Sequence, residues 1–128
     1  MNSARRLTWA LTVALVAELE GCARLPVPAR EAFVEVGEAS FYGAHLGGRM
    51  TASGSRLDLG AFTCAHRTLP FGTRVRVTNV ATGRSTEVEV TDRGPFAHGR
   101  IIDLTPAAAR ELGFLEQGLA RVRVETVR

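Results

Sequence analysis

The chain has 128 residues, 45% of them hydrophobic, with thirteen glycines and five prolines: enough for one small core with many tight turns, and too short for two. All sixteen cationic residues are arginine, and the formal charge is +3 at pH 7. The arginines are spread along the chain, thirteen acids nearly balance them, and no nucleic-acid motif occurs. The composition therefore argues against nucleic acid and fits another anionic partner.

The N-terminus reads as a targeting segment. Arg5 and Arg6 form a basic start, and Leu7 to Ala17 is an apolar run of signal-peptide length, too short to span a bilayer. Leu19-Glu20-Gly21-Cys22 resembles a bacterial lipobox, in which Cys22 is acylated and becomes the mature N-terminus. Glu18 and Glu20 depart from that pattern. The expected organisation is a lipoprotein signal peptide over 1–21, a short linker over 22–32 containing Pro26 and Pro28, and a folded domain over 33–128. Ala23 stands where an Asp is linked to inner-membrane retention, which favours an anchor on the periplasmic side of the outer membrane. With Cys22 lipidated, Cys64 has no disulfide partner and reads as a small buried apolar side chain within Ala61 to Ala65. No Cys/His spacing suggests a metal, and no cofactor is implied.

From Phe33 the periodicity is that of strands. Phe33 to Tyr42 opens with one, and Thr73 to Thr78 and Thr86 to Thr91 alternate cleanly around a hairpin turn at Ala81 to Arg84. Arg74 and Arg76 should then face Glu87 and Glu89 across the pair. Thr105 as N-cap, Pro106 at the first position and Gly113 after the end predict a helix, followed by a last strand over Arg121 to Glu125. This order contains no regular βαβ repeat, so a Rossmann-type sheet is excluded and a small closed barrel is favoured.

Asp92, in Thr91-Asp92-Arg93-Gly94-Pro95-Phe96, is the residue most suggestive of chemistry. It ends a strand, and Gly94-Pro95 stops regular structure just beyond it. Such an Asp either caps its turn or presents a carboxyl group to a ligand.

Six segments, in this order, resemble the rare lipoprotein A (RlpA) family: Gly37 to Gly43, Thr51-Ala52-Ser53-Gly54, Ala65 to Thr73, Val75 to Asn79, Asp92 to Phe96, and Gly99 to Leu104. The resemblance implies a mainly β fold, a six-stranded double-psi β-barrel with one or two short helices, related to expansins. It also implies endolytic lytic transglycosylase activity on peptidoglycan, with a preference for glycan strands lacking stem peptides. By position, Asp92 matches the family's catalytic acid, and Asp58 and His66 match polar residues of the same groove. Ser55 stands where the family commonly has Glu, which removes one groove carboxylate; a serine cannot act as acid or base near neutral pH. Tyr42 or Phe41 could stack on a sugar, although alternation turns one of the pair into the core.

To act first as an acid, Asp92 must carry a proton. Phe96, Pro95 and Asp58 are candidate neighbours that would favour this, and Arg93 would oppose it if turned inward. Asp58 otherwise caps a turn, His66 otherwise satisfies backbone, and Asp103 reads as an anchor of the strand-to-helix junction. His45 and His98 fall in glycine-rich loops, where exposure is expected. The alternative to an enzyme is a non-catalytic, expansin-like peptidoglycan-binding module, which the serine at position 55 favours.

Overall fold

The computed structural model describes residues 32–127; the expected signal peptide, Cys22 and all but the last residue of the expected linker lie outside the described residues. Six strands are formed: β1 (Val34–Phe41), β2 (Thr63–His66), β3 (Arg74–Asn79), β4 (Ser85–Asp92), β5 (Arg100–Leu104) and β6 (Ala120–Thr126). A 3₁₀ turn (Ala44–Leu46) follows β1, and one helix, α1 (Pro106–Leu112), joins β5 to β6. The strands close in the order β1-β5-β2-β4-β3-β6. β1 runs parallel to β5 and β2 parallel to β4, while β2 and β5 pair antiparallel between them. This interleaving of two parallel pairs is the double-psi β-barrel, and closure leaves no free sheet edge.

Alternation builds the core. Val75 and Val77, Val88 and Val90, and Val122 and Val124 point inward and are fully buried, while Arg74, Arg76, Arg121 and Arg123 point out. The register sets Arg76 opposite Glu87 and Arg74 opposite Glu89, and both arginines reach Glu87, at 3.3 Å and 3.7 Å. Glu87 is thus the shared acid of the expected cross-strand pairing. Phe114 plugs the barrel with Ala108, Ala109 and Leu112 of α1, and Phe41 packs edge-on against it, at 5.8 Å between ring centroids.

The helix ends are those expected. Thr105 accepts a hydrogen bond from Ala108 N, Pro106 opens the first turn, and Gly113 closes the helix at φ 77°, a left-handed conformation suited to glycine. Cys64 is free and fully buried, and burial, reinforced by the charges of Asp103 and Glu89, pushes its thiol far above the ordinary range. It is packing material, not a nucleophile.

Candidate active site

β4 delivers Asp92 to the end of the barrel because the chain can go no further as a strand: Gly94 sits at φ 121° and Pro95 has no amide hydrogen. A hairpin-like segment covers this end. Gly48 N donates to Leu57 O at 2.8 Å, Leu57 N to Arg49 O at 2.8 Å, and Met50 bridges to Arg56. Two further bonds fasten it to β4, from Ser53 N to Thr91 O at 3.1 Å and from Ala52 N to Asp92 Oδ1 at 2.9 Å. Between this segment, the 3₁₀ turn and the end of β1 lies a cleft of about 180 Å³, lined by Tyr42, Leu46, Arg49, Met50, Thr51, Leu57 and Asp92.

The two oxygens of Asp92 are held differently. Oδ1 accepts the backbone amides of Ala52 and Arg93, each at 2.9 Å, and is thereby occupied with main chain. Oδ2 accepts the Tyr42 hydroxyl at 2.8 Å. Each carboxylate oxygen offers about two acceptor sites, so Oδ2 keeps one for a ligand. Burial first, then the hydrogen bond and charge of Asp92, and then the charge of Asp103, push the Tyr42 phenol far above its usual range. Tyr42 is therefore a permanent neutral donor to Asp92. Leu46, Met50 and Leu57 supply the apolar part of the wall.

The structure distributes the residues singled out in the sequence over different places. Asp92 and Tyr42 meet in the cleft. Ser55 stands just behind it, in a triangle of hydroxyls with Thr51 and Ser53 in which every Oγ pair is 2.9 Å apart. Arg93 turns its guanidinium away, donating to Leu69 O at 2.8 Å and His66 O at 3.2 Å and lying 4.0 Å over the Phe71 ring. Asp58 is exposed and accepts from Gly60 N at 2.9 Å, the turn-capping arrangement.

His66 is buried. Its Nδ1 accepts from Thr68 N and Leu69 N, at 3.2 Å and 3.1 Å, which places the proton of the neutral ring on Nε2. That nitrogen faces Glu35 Oε1 at 3.5 Å, and Phe33 packs edge-on against the ring. Burial holds His66 below its ordinary pKa; Glu35 opposes this and Arg93 and Arg67 reinforce it. Of the neighbours expected to favour a protonated Asp92, Phe96 is 82% exposed and neither Pro95 nor Asp58 lines the cleft. His45 and His98 are exposed.

Of the hairpin wall, sequence reasoning picked out Thr51 to Gly54 and Ser55 and passed over Arg49, Met50 and Leu57. The signal available was position: Gly47-Gly48-Arg49-Met50 runs directly into the Thr51 to Gly54 motif. Asp103 also gains a new setting. It accepts hydrogen bonds from Ser40 Oγ and, at 2.9 Å, from Arg100, and it flanks Ala65 on the side opposite Asp92 in the strand register. Among the described residues no cluster of His, Cys, Asp or Glu could hold a metal ion, and no helix is long and apolar enough to cross a membrane.

Residues 34–124 match the sequence model of the family described as lytic transglycolase. The chain belongs to the lytic transglycolase family. It is 52% identical over 95 residues to the endolytic peptidoglycan transglycosylase RlpA of Neisseria meningitidis, covering 74% of this chain and 40% of the relative. It is 57% identical over 93 residues to a probable enzyme of the same name from Nostoc, covering 71% of this chain and 25% of that one. The chain thus spans less than half the length of these relatives. Among solved structures, the Streptomyces papain inhibitor superposes with a TM-score of 0.61 at 25% identity, over 75% of this chain and 96% of that one. The Clavibacter michiganensis expansin superposes with a TM-score of 0.60 at 25% identity, over 75% of this chain and 51% of that one. One barrel therefore carries a protease inhibitor, an expansin and this family, so the fold alone does not assign the chemistry.

Proposed function

We propose that this barrel cleaves peptidoglycan glycan strands as an endolytic lytic transglycosylase, with Asp92 as its acid and base. The observation that carries the reading is the asymmetry of the Asp92 carboxyl group. One oxygen is fixed by two main-chain amides, the other accepts, among the described residues, only the neutral Tyr42 phenol, and both residues line the cleft. Family membership and the named relatives supply the substrate class.

A hydrolytic glycosidase needs two carboxyl groups, one as acid and one to activate water or attack the sugar. A lytic transglycosylase uses the muramyl sugar's own primary hydroxyl in place of water, so one group suffices. Protonated Asp92 gives its proton from Oδ2 to the glycosidic oxygen as the C1–O bond breaks, and the departing strand leaves with a free hydroxyl. The resulting carboxylate then takes the proton of the C6 hydroxyl while that oxygen closes on C1. The product ends in an anhydro-muramyl ring, and Asp92 has recovered its proton. The missing groove carboxylate at Ser55 is not required by this route. Tyr42 holds Asp92 at the cleft, Ser55 braces the wall behind it, and Asp58, His66 and Arg93 support the surrounding fold without lining the cleft.

The test is incubation of the mature domain with purified sacculi and with strands freed of stem peptides, followed by mass spectrometry for anhydro-muramyl ends. Asp92→Asn keeps the shape and removes the acid, so kcat should fall by roughly 10²-fold or more while folding and glycan binding persist. Turnover retained in that variant would take Asp92 out of the mechanism. The serine at position 55 and the expansin likeness favour a second reading, a non-catalytic peptidoglycan-binding module, and binding without anhydro products would select it.

The lipobox-like run supports anchoring through Cys22 on the periplasmic face of a membrane, with the outer membrane favoured by Ala23. Cys22→Ser should move the protein from the membrane pellet to the soluble fraction. Unchanged pelleting would remove the anchor from this account.

A further inference from the structure

Among the described residues that line the Asp92 cleft, Arg49 is the only cation. Its backbone is fixed from both sides, Arg49 N donating to Leu46 O at 3.1 Å and Arg49 O accepting from Leu57 N at 2.8 Å, so the root of the side chain does not wander. Its guanidinium has no hydrogen bond or ion pair with any described residue. The arginines beside the hairpin and beside Asp92 in sequence are committed, Arg56 to Gly48 O and Arg93 to Leu69 O and His66 O. The site thus presents a single cationic fork to whatever enters beside Asp92.

Whenever Asp92 is ionised, as after it gives its proton in the proposed cycle, it repels an anionic ligand beside it. A muramyl ring freed of its stem peptide is such a ligand, because its lactyl ether ends in a carboxylate; in a strand that keeps the peptide, this group is a neutral amide with a bulky substituent. A guanidinium pairs with a carboxylate through two parallel hydrogen bonds, which an amide cannot reproduce. We propose that Arg49 is the specificity-determining residue of this cleft, recognising the free lactyl carboxylate of a peptide-free muramyl residue while Asp92 faces the adjacent glycosidic oxygen. The inference rests on the glycan-cleaving reading, and it adds the group by which the cleft selects among muramyl residues.

The experiment measures binding in the Asp92→Asn background, so that it does not depend on turnover. The probes are amidase-stripped glycan strands and the same strands with their lactyl carboxylates converted to methylamides. The parent variant should bind stripped strands about tenfold more tightly than amidated ones, as expected for loss of a charge-assisted pair. Adding Arg49→Gln should weaken binding of stripped strands by about the same factor and leave amidated strands unchanged, the pattern of a coupled pair. Arg49→Lys, which keeps charge without the fork, should recover part of the loss.

Equal binding of the two strands by the parent, or equal losses on both in Arg49→Gln with no recovery in Arg49→Lys, overturns the role of Arg49. Anhydro products from the wild type together with either result would leave the proposed activity standing and the inference alone refuted. Failure of every variant to bind either strand refutes both.

Discussion

The carboxyl group of Asp92 accepts three hydrogen bonds, and among the described residues Tyr42 is the donor to Oδ2. Tyr42→Phe keeps the ring and deletes only the hydroxyl. The two amides on Oδ1 remain, so the fold should melt within a few degrees of the parent. The oxygen proposed to transfer the proton, however, loses its phenol donor, and a hydrogen bond is worth roughly 0.5–1.5 kcal/mol, more when the acceptor is charged. We expect kcat to fall about tenfold or more with KM little changed, since the ring still lines the cleft. An unchanged kcat, or a loss that tracks unfolding, would reduce Tyr42 to packing.

At the scale of elements, legibility followed solvent. β3, β4 and β6 each bury one face and expose the other, so valine alternates with charge and the strands can be read directly from Thr73 to Thr78, Thr86 to Thr91 and Arg121 to Glu125. α1 was equally plain, because its caps are chemical signals at both ends. β2 was not legible as a strand, and β5 only as the strand end that Asp103 joins to the helix. Cys64, Ala65 and His66 of β2 and Ile101, Ile102 and Leu104 of β5 are all buried, which erases any period of two. The same distinction governs the site. Asp92 was visible because a strand, a glycine and a proline announce it locally. Of the wall opposite only Thr51 to Ser55 was legible, because its attachment is a bond from Ala52 to Asp92 forty positions away, and only the folded barrel brings Arg49 to the acid.

At the scale of the whole molecule, His66 stitches together segments distant in sequence. From β2 it faces Glu35 of β1; its carbonyl, with that of Leu69, receives Arg93 just beyond β4; and Arg67 beside it reaches Pro95 O. Nδ1 receives two amide hydrogens and so cannot also hold a proton without breaking the turn from His66 to Leu69. Burial, with Arg93 and Arg67 nearby, lowers the folded pKa below the value near 6.5 of the unfolded chain, and Glu35 only partly offsets this. The unfolded state therefore binds more protons between those two values. Stability from this group is complete above about pH 6.5 and is lost as the pH falls from there toward the folded pKa. His66→Asn keeps an acceptor for the two amides and removes the titration. Urea midpoints measured from pH 7.5 to 5 should fall more steeply for the parent than for His66→Asn, with the curves separating below about pH 6.5. Parallel curves would mean that the unfolded and folded histidines titrate alike, and that the burial of His66 between Glu35 and the two arginines carries no cost in charge.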